Sequence, residues 1–386
     1  MTKKIIAITG IRSEYDIFYP VLKELQSANH DISIVVTGAH LSDQHGNTYN
    51  RISDDDFIIA DKIDTLLSTD RLVQRSKAVS MLIQGLTQTV EREKPDFLLV
   101  IGDREESIAT AIVGNYTETL VVHLGGGDPV YGNADDPMRF AVSKLAHIHC
   151  CVAQAYADNL LKIGEEDFRV FFTGSPAYAN IDFVPVIGKA DLMNQLDIKS
   201  ENYIVLIKHP LSSEVESAGE QMETALKSLE EFCDKHNFQV VCIPPNSDPG
   251  SHKMKMVLEK YSEKDWLIKA ETLPRIQFIN LMRHARALVG NSSMGILEAP
   301  HYKLPVVNIG NRQQGRLNAG NVEFVPYIND EIIIAVEKAT LDDEYRQKIR
   351  NLENPFGDSS APQKVMEAIE SVDLNNRKWY VKQKLC

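Results

Sequence analysis

The sequence predicts an α/β protein built from two Rossmann-like, doubly wound domains that face each other across a cleft. Three observations carry that prediction. Strand-like runs alternate with helix-length amphipathic segments along the chain, the alternation restarts after residues 174–189, and 386 residues are too many for one ordinary core. The expected division is a first domain over residues 1–178, a second over 179–365, and a C-terminal helix and tail over 366–386.

Taken in order, the apolar run from Lys4 to Thr9 reads as a buried strand, followed by a helical pattern from Tyr15 to Gln26, a strand from Ile32 to Val36 and a helix from Val73 to Glu91. Further strands are expected at Phe97 to Ile101, Thr119 to His123, His147 to Val152 and Val170 to Thr173. Each is rich in β-branched or aromatic residues and bounded by turn residues. Beyond a proline-bearing stretch, Tyr203 to Ile207, a helix from Ala218 to His236 and Gln239 to Ile243 open a second sheet. Trp266 to Lys269, a helix from Leu273 to His284, Ala287 to Val289 and Pro305 to Ile309 continue it. No repeat of solenoid period and no low-complexity segment interrupts this pattern.

Composition narrows the function. A net charge of −13 argues against nucleic acid as a partner, because Lys and Arg must neutralise its phosphates. No 18-residue apolar run exists to span a membrane, and Met1-Thr2-Lys3-Lys4 leads directly into the first strand, so a cytoplasmic protein is expected. Cysteines 150, 151, 233, 242 and 386 lack metal-ligand spacing and read as buried small residues.

In doubly wound sheets ligands sit beyond the carboxyl ends of the strands, and that is where the candidate site residues fall. After the first strand, Arg12 either pairs with a diphosphate or is a surface residue of the turn, and Ser13 is a potential cap. After the strand ending at Ile101, Asp103 is either an acid or base or a helix cap. His123 closes the next strand before Gly125, Gly126 and Gly127. Asp128, Asp135 and Asp136 bring three carboxylates into about ten residues, a density suited to proton transfer, although Asp136-Pro137 is also a plain helix start. Arg139, one turn into that helix, suits a carboxylate or a phosphate. In the second half, His209 follows a strand and is placed to touch phosphate or to protonate a leaving group. Asn246 lies in a rigid polar loop. Ser292 and Ser293 precede a helix start that reads as a phosphate cradle, with Glu298 one turn on and suited to ribose hydroxyls. Arg312 and Arg316 would neutralise a diphosphate locally.

Thr9-Gly10-Ile11-Arg12-Ser13-Glu14-Tyr15, Val36-Thr37-Gly38-Ala39-His40-Leu41, Gly102-Asp103-Arg104, Gly290-Asn291-Ser292-Ser293 with Glu298-Ala299-Pro300, and Asn308-Ile309-Gly310 with Arg312-Gln313 and Gly315-Arg316 occur in an order and spacing that resembles the UDP-N-acetylglucosamine 2-epimerases. The resemblance is to their hydrolysing branch, which serves sialic or legionaminic acid synthesis. It implies a glycosyltransferase type B-like fold, a UDP-sugar substrate, no metal or other cofactor, and at least a homodimer. Carried over by motif, Ser292, Ser293 and Glu298 would bind diphosphate and ribose, Arg12 the phosphates, and Asp103 and His209 would join the catalytic set. Asp128 and Asp136 complete that set, with His123, Asp135, Arg139, Asn246, Arg312 and Arg316 on the binding side.

The implied reaction removes the C2 proton and expels UDP from C1 to leave a 2-acetamidoglycal, which water then hydrates with inversion at C2. UDP-N-acetylglucosamine is the expected substrate, and UDP-2,4-diacetamido-2,4,6-trideoxy-glucose the alternative. The other readings are a glycosyltransferase on the same fold or an inactive nucleotide-sugar binder. The last of these, and a sugar that differs in its C4 or C6 substituents, are motivated by three departures from the hydrolysing pattern: Gly125 stands where a second His is usual, Phe140 where a His is usual, and Asn311 where an Asp is usual.

Overall fold

The computed structural model describes residues 2–43, 46–67, 73–129, 135–245, 249–270 and 273–383. The side chains of Asp135, Asp136 and Ser212 lie outside that description, as does the whole of Asn246. The chain forms two compact units. One comprises residues up to 129, 135–180 and 356 onward, and the other comprises residues 181–355.

The first unit holds a sheet of seven strands: β1 (Lys4–Thr9), β2 (Asp31–Thr37), β3 (Ile58–Ile63), β4 (Phe97–Ile101), β5 (Leu120–Leu124), β6 (Ile148–Cys151) and β7 (Val170–Phe172). Their order is β3-β2-β1-β4-β5-β6-β7, and every pairing is parallel. A parallel sheet needs cover on both faces. Alternation along β1 shows how the sequence meets that need: Ile5 and Ala7 point into one apolar cluster with Phe18 and Leu22, whereas Ile6 and Ile8 point into another with Leu86 and Val100. Each such buried aliphatic side chain contributes about 1.5–3 kcal/mol.

The C-terminal segment closes this unit. Val365, Ala368 and Ile369 of the Ala361–Glu370 helix join the cluster that holds Ile5 and Phe18. Lys3 donates from Nζ to the Ile369 and Val372 carbonyls at 2.6 and 2.8 Å, a cation at the end of a helix whose last carbonyls lack partners. Fully buried Arg169 donates to the carbonyls of Trp379 and Val381 at 2.8 and 3.0 Å and also to that of Lys378.

The second unit holds β8 (Tyr203–Ile207), β9 (Gln239–Ile243), β10 (Leu267–Lys269), β11 (Leu288–Gly290), β12 (Val306–Ile309) and β13 (Val322–Val325), in the order β10-β9-β8-β11-β12-β13. These pairings too are all parallel. Ile204 and Leu206 face one cluster and Tyr203, Val205 and Ile207 the other. Both sheets therefore reverse direction next to their first strand, at β1/β4 and at β8/β11, and such a switch point opens a crevice at the carboxyl ends of the two strands.

No helix among the described residues is long and apolar enough to cross a membrane. Cys150, Cys151, Cys233 and Cys242 are buried free thiols, as expected of small core residues, and Cys386 lies outside the described residues.

Candidate active site

At the β1/β4 switch point the strands lead through Gly10–Ile11 and Gly102–Arg104 into the helices that follow them. The Arg12–Ser27 helix begins with Ile11 as its cap residue, and no side chain caps it there, so Ser13 does not take that part. Glu14, in the first turn, accepts the Gly10 N–H at 3.0 Å instead and so satisfies the backbone just before the helix. Glu106, second residue of the Glu105–Tyr116 helix, comes so close that a Cβ on Gly10 would overlap its carboxyl, which requires glycine at that turn. Arg104 lies 3.8 Å from Glu14 and 3.6 Å from Glu106. Burial raises the Glu14 carboxyl to about 8, with the Glu106 charge adding to the shift and Arg104 opposing it. Burial raises Glu106 as well, and Arg104 again opposes the shift. Burial thus favours the protonated form of both carboxyls, and the half-exposed guanidinium between them opposes it.

One residue away, Asp103 does not cap its helix. It pairs with Arg139, which donates to it from Nε at 3.1 Å and also from Nη2. Arg139 reaches on to Asp128 at 3.1 Å and to the Gly125 carbonyl at 3.3 Å. Burial disfavours the Arg139 charge, but Asp103 and Asp128 outweigh it and keep the guanidinium protonated. The two carboxylates differ in access: the side chain of Asp103 is 18% exposed and that of Asp128 only 1%.

His123, expected to contact substrate, is fully buried instead. Its Nε2–H donates to the Gly102 carbonyl at 2.7 Å, and its Nδ1 faces the Ser143 hydroxyl at 3.3 Å. Burial, reinforced by His149, pushes its pKa down to about 3, so it stays neutral and holds the Asp103 loop from behind. His40, from the Thr37–Leu41 motif, is likewise buried, and burial lowers it to about 4. It bridges Thr9 at 3.1 Å and Thr48 at 2.7 Å. Arg12 stands half-buried at the β1 exit, 3.8 Å from Asp16. Asp135 and Asp136 open the Asp135–Leu145 helix that carries Arg139.

The β8/β11 switch point is stitched by one amide. Asn291 accepts the His209 N–H at 2.7 Å and donates to the His209 carbonyl at 2.8 Å, tying the two strand exits together. Gly290 (φ +131°) permits this approach, because a Cβ there would overlap the Ile207 carbonyl. The Asn291 carbonyl then accepts Arg312 at 3.0 Å and Gln313 at 3.1 Å, and Arg316 donates to Gln313 at 2.7 Å. His209, Arg312 and Arg316 are thus brought together around Asn291, whose part in this the sequence reading missed.

The expected phosphate cradle is shorter than its sequence suggests. Met294–Leu297 is a single turn, with Ser293 as its cap residue and Glu298 at its end. Proline at 300 and a run of turns stop it there, so any charge from its dipole is small. Half-buried Ser292 and Ser293 still offer hydroxyls beside the Arg312 loop. Among the described residues no group of three or more His, Cys, Asp or Glu side chains is placed to hold a metal ion.

Comparison with known proteins adds to this geometry. The profile of the UDP-N-acetylglucosamine 2-epimerase family matches residues 23–370. A hydrolysing UDP-N,N'-diacetylbacillosamine 2-epimerase of Legionella pneumophila is 33% identical over 98% of both chains. A GDP/UDP-N,N'-diacetylbacillosamine 2-epimerase (hydrolysing) of Campylobacter jejuni is 34% identical over 83% of both chains. A UDP-N-acetylglucosamine 2-epimerase of Neisseria meningitidis is 28% identical over 87% of each. Among solved structures, S. aureus MnaA with UDP superposes with a TM-score of 0.81 over 96% of each chain at 23% identity, which shows the shared fold.

Proposed function

The chain belongs to the UDP-N-acetylglucosamine 2-epimerase family, and from that premise we propose that it is a hydrolysing epimerase of a UDP-linked 2-acetamido sugar. The observation that carries the proposal is the Asp103–Arg139–Asp128 cluster at the carboxyl ends of β4 and β5. Such a cluster supplies carboxylates held in a fixed geometry away from bulk water, which the removal of a weakly acidic C–H requires.

In the reaction so proposed, Asp103 is the more accessible carboxylate and takes the C2 proton. Asp128, buried, anchors Arg139. As the C2–H bond breaks, its electron pair forms the C1=C2 double bond and the C1–oxygen bond breaks towards the diphosphate, releasing UDP. Arg12 in the first unit and Arg312, Arg316, Ser292 and Ser293 in the second are the groups suited to the departing negative charge, with His209 as proton donor. Glu298 would take the ribose hydroxyls. Water then adds hydroxyl to C1 and a proton to C2 on the opposite face, giving a free sugar inverted at C2. Asp135 and Asp136, at the start of the helix that carries Arg139, are the candidates for that second proton.

For the sugar we infer UDP-N,N'-diacetylbacillosamine ahead of UDP-N-acetylglucosamine. The relatives at 33% and 34% identity are named for the former. A second observation agrees: a Cβ on Gly125, whose carbonyl accepts Arg139, would meet nothing within 4 Å, so there is open space beside the cluster for a sugar that carries a second acetamido group. Incubating the protein with each nucleotide sugar and no acceptor tests the reading. Release of UDP together with a free 2-epimer, faster from the diacetamido sugar, is expected; UDP release that requires an acceptor sugar, or no turnover of either, would overturn it.

A further inference from the structure

Lys208 is the last residue before His209 at the exit of β8, and it is 1% exposed. Its ammonium carries three donors. Among the described residues it spends one, on the Tyr327 hydroxyl at 3.0 Å, with the Nζ 4.8 Å from the centre of the same ring. The charged neighbours do not neutralise it: Glu214, from the turn at 212–217, attracts it without an ion-pair contact, and Arg312, from the loop after β12, repels it. His209 adjoins it in the chain, and its backbone is occupied by Asn291. A buried ammonium without a carboxylate is costly, and burial lowers its pKa to about 8. A side chain needed only to hold Tyr327 in place would not have to carry a charge. The cost has a use where an anion arrives from outside, and the switch point of a doubly wound sheet is where ligands bind.

We propose that Lys208 is the standing counter-charge for a nucleoside diphosphate at the β8/β11 switch point, and that it completes its charge balance only when the diphosphate binds. This rests on the reading that the second unit binds UDP. An anion beside Lys208 raises its pKa, so free protein that has lost the proton regains it on binding. UDP affinity therefore falls as pH rises through about 8, in a range where the terminal phosphate of UDP, with a second pKa of about 6, is already ionised.

The test is calorimetric titration of the full chain with UDP, in pairs of buffers with different ionisation heats, from about pH 7.5 to about pH 9.5. Wild type should take up about half a proton per UDP near pH 8. Lys208→Met should bind UDP about tenfold to a hundredfold more weakly at the lower pH, with no proton uptake. Lys208→Arg, charged throughout, should bind with affinity flat across the range and also without uptake. Should Lys208→Met fail to give a folded melting transition, wild type and Lys208→Arg decide the matter. Wild-type binding with no net uptake, or uptake that persists in either variant, overturns the inference while leaving UDP binding intact. Absence of any UDP binding by wild type would remove the proposed function and this inference with it.

Discussion

At the β1/β4 switch point the strand exits carry Glu14, Asp103 and Glu106, with Asp128 close by, each within reach of an arginine. At the β8/β11 switch point the same place in the strand order is built from an asparagine, serines and cations. One sheet gathers groups that take and give protons, and the other gathers groups that tolerate a negative charge. The topology fixes where the exits meet, whereas a handful of loop residues decide which half of a reaction each meeting point can serve.

The comparison can be broken most severely at Asp103. Asp103→Asn removes a proton acceptor while keeping the shape, and kcat should fall about a thousandfold with UDP binding preserved; an unchanged kcat would take the acid–base role away from the first unit. Next comes Arg139→Met, which takes the guanidinium away from buried Asp128 and from Asp103. Denaturant midpoints should show a loss of about 3–5 kcal/mol, recovered in part by adding Asp128→Asn. Full stability in the single variant would mean that the cluster is not the tie the distances indicate.

On the second sheet, Asn291→Ala removes the side-chain amide that holds the His209 backbone but keeps the main-chain carbonyl that accepts Arg312 and Gln313, so UDP affinity should drop by roughly tenfold while first-unit stability is untouched. The smallest effect concerns the Glu14–Glu106 pair. A carboxyl whose folded pKa is raised binds more protons native than unfolded, so stability falls as pH rises from the ordinary glutamate value towards about 8 and levels off beyond it. Urea unfolding at several pH values should show that decline in wild type and a flatter line in Glu14→Gln. A decline of equal slope in the variant would place the linkage elsewhere.

Much of this architecture is legible in the sequence. Lys4–Thr9, Phe97–Ile101, Tyr203–Ile207 and Gln239–Ile243 lie where their apolar runs predict strands, and Ala218–His236 where its period predicts a helix. The unread strands are both at sheet edges. β3 reads Ile-Ile-Ala-Asp-Lys-Ile with Ile58 exposed, and β13 is the four-residue Val-Glu-Phe-Val, so neither shows the continuous apolar run of a doubly covered strand. The placement of residues 356–383 with the first unit depends on Ile369 meeting the cluster around Ile5 and Phe18, a long-range contact that no local pattern reveals. In the site, Asp103, Asp128 and Arg139 were legible as types at strand exits, but their mutual pairing was not. The burial of His123 and Glu106 depends on how closely the loops fold over them. Nothing in the sequence marks Lys208, because lysine at a strand end usually signals solvent.

The most direct test of the central claim, that first-unit carboxylates exchange the C2 hydrogen as UDP leaves, is turnover of UDP-N,N'-diacetylbacillosamine in deuterated water with product analysis by NMR. One deuterium at C2 of a C2-inverted free sugar from wild type, and none formed by Asp103→Asn, is the predicted result. Free sugar that keeps its original hydrogen and configuration at C2 would contradict the account.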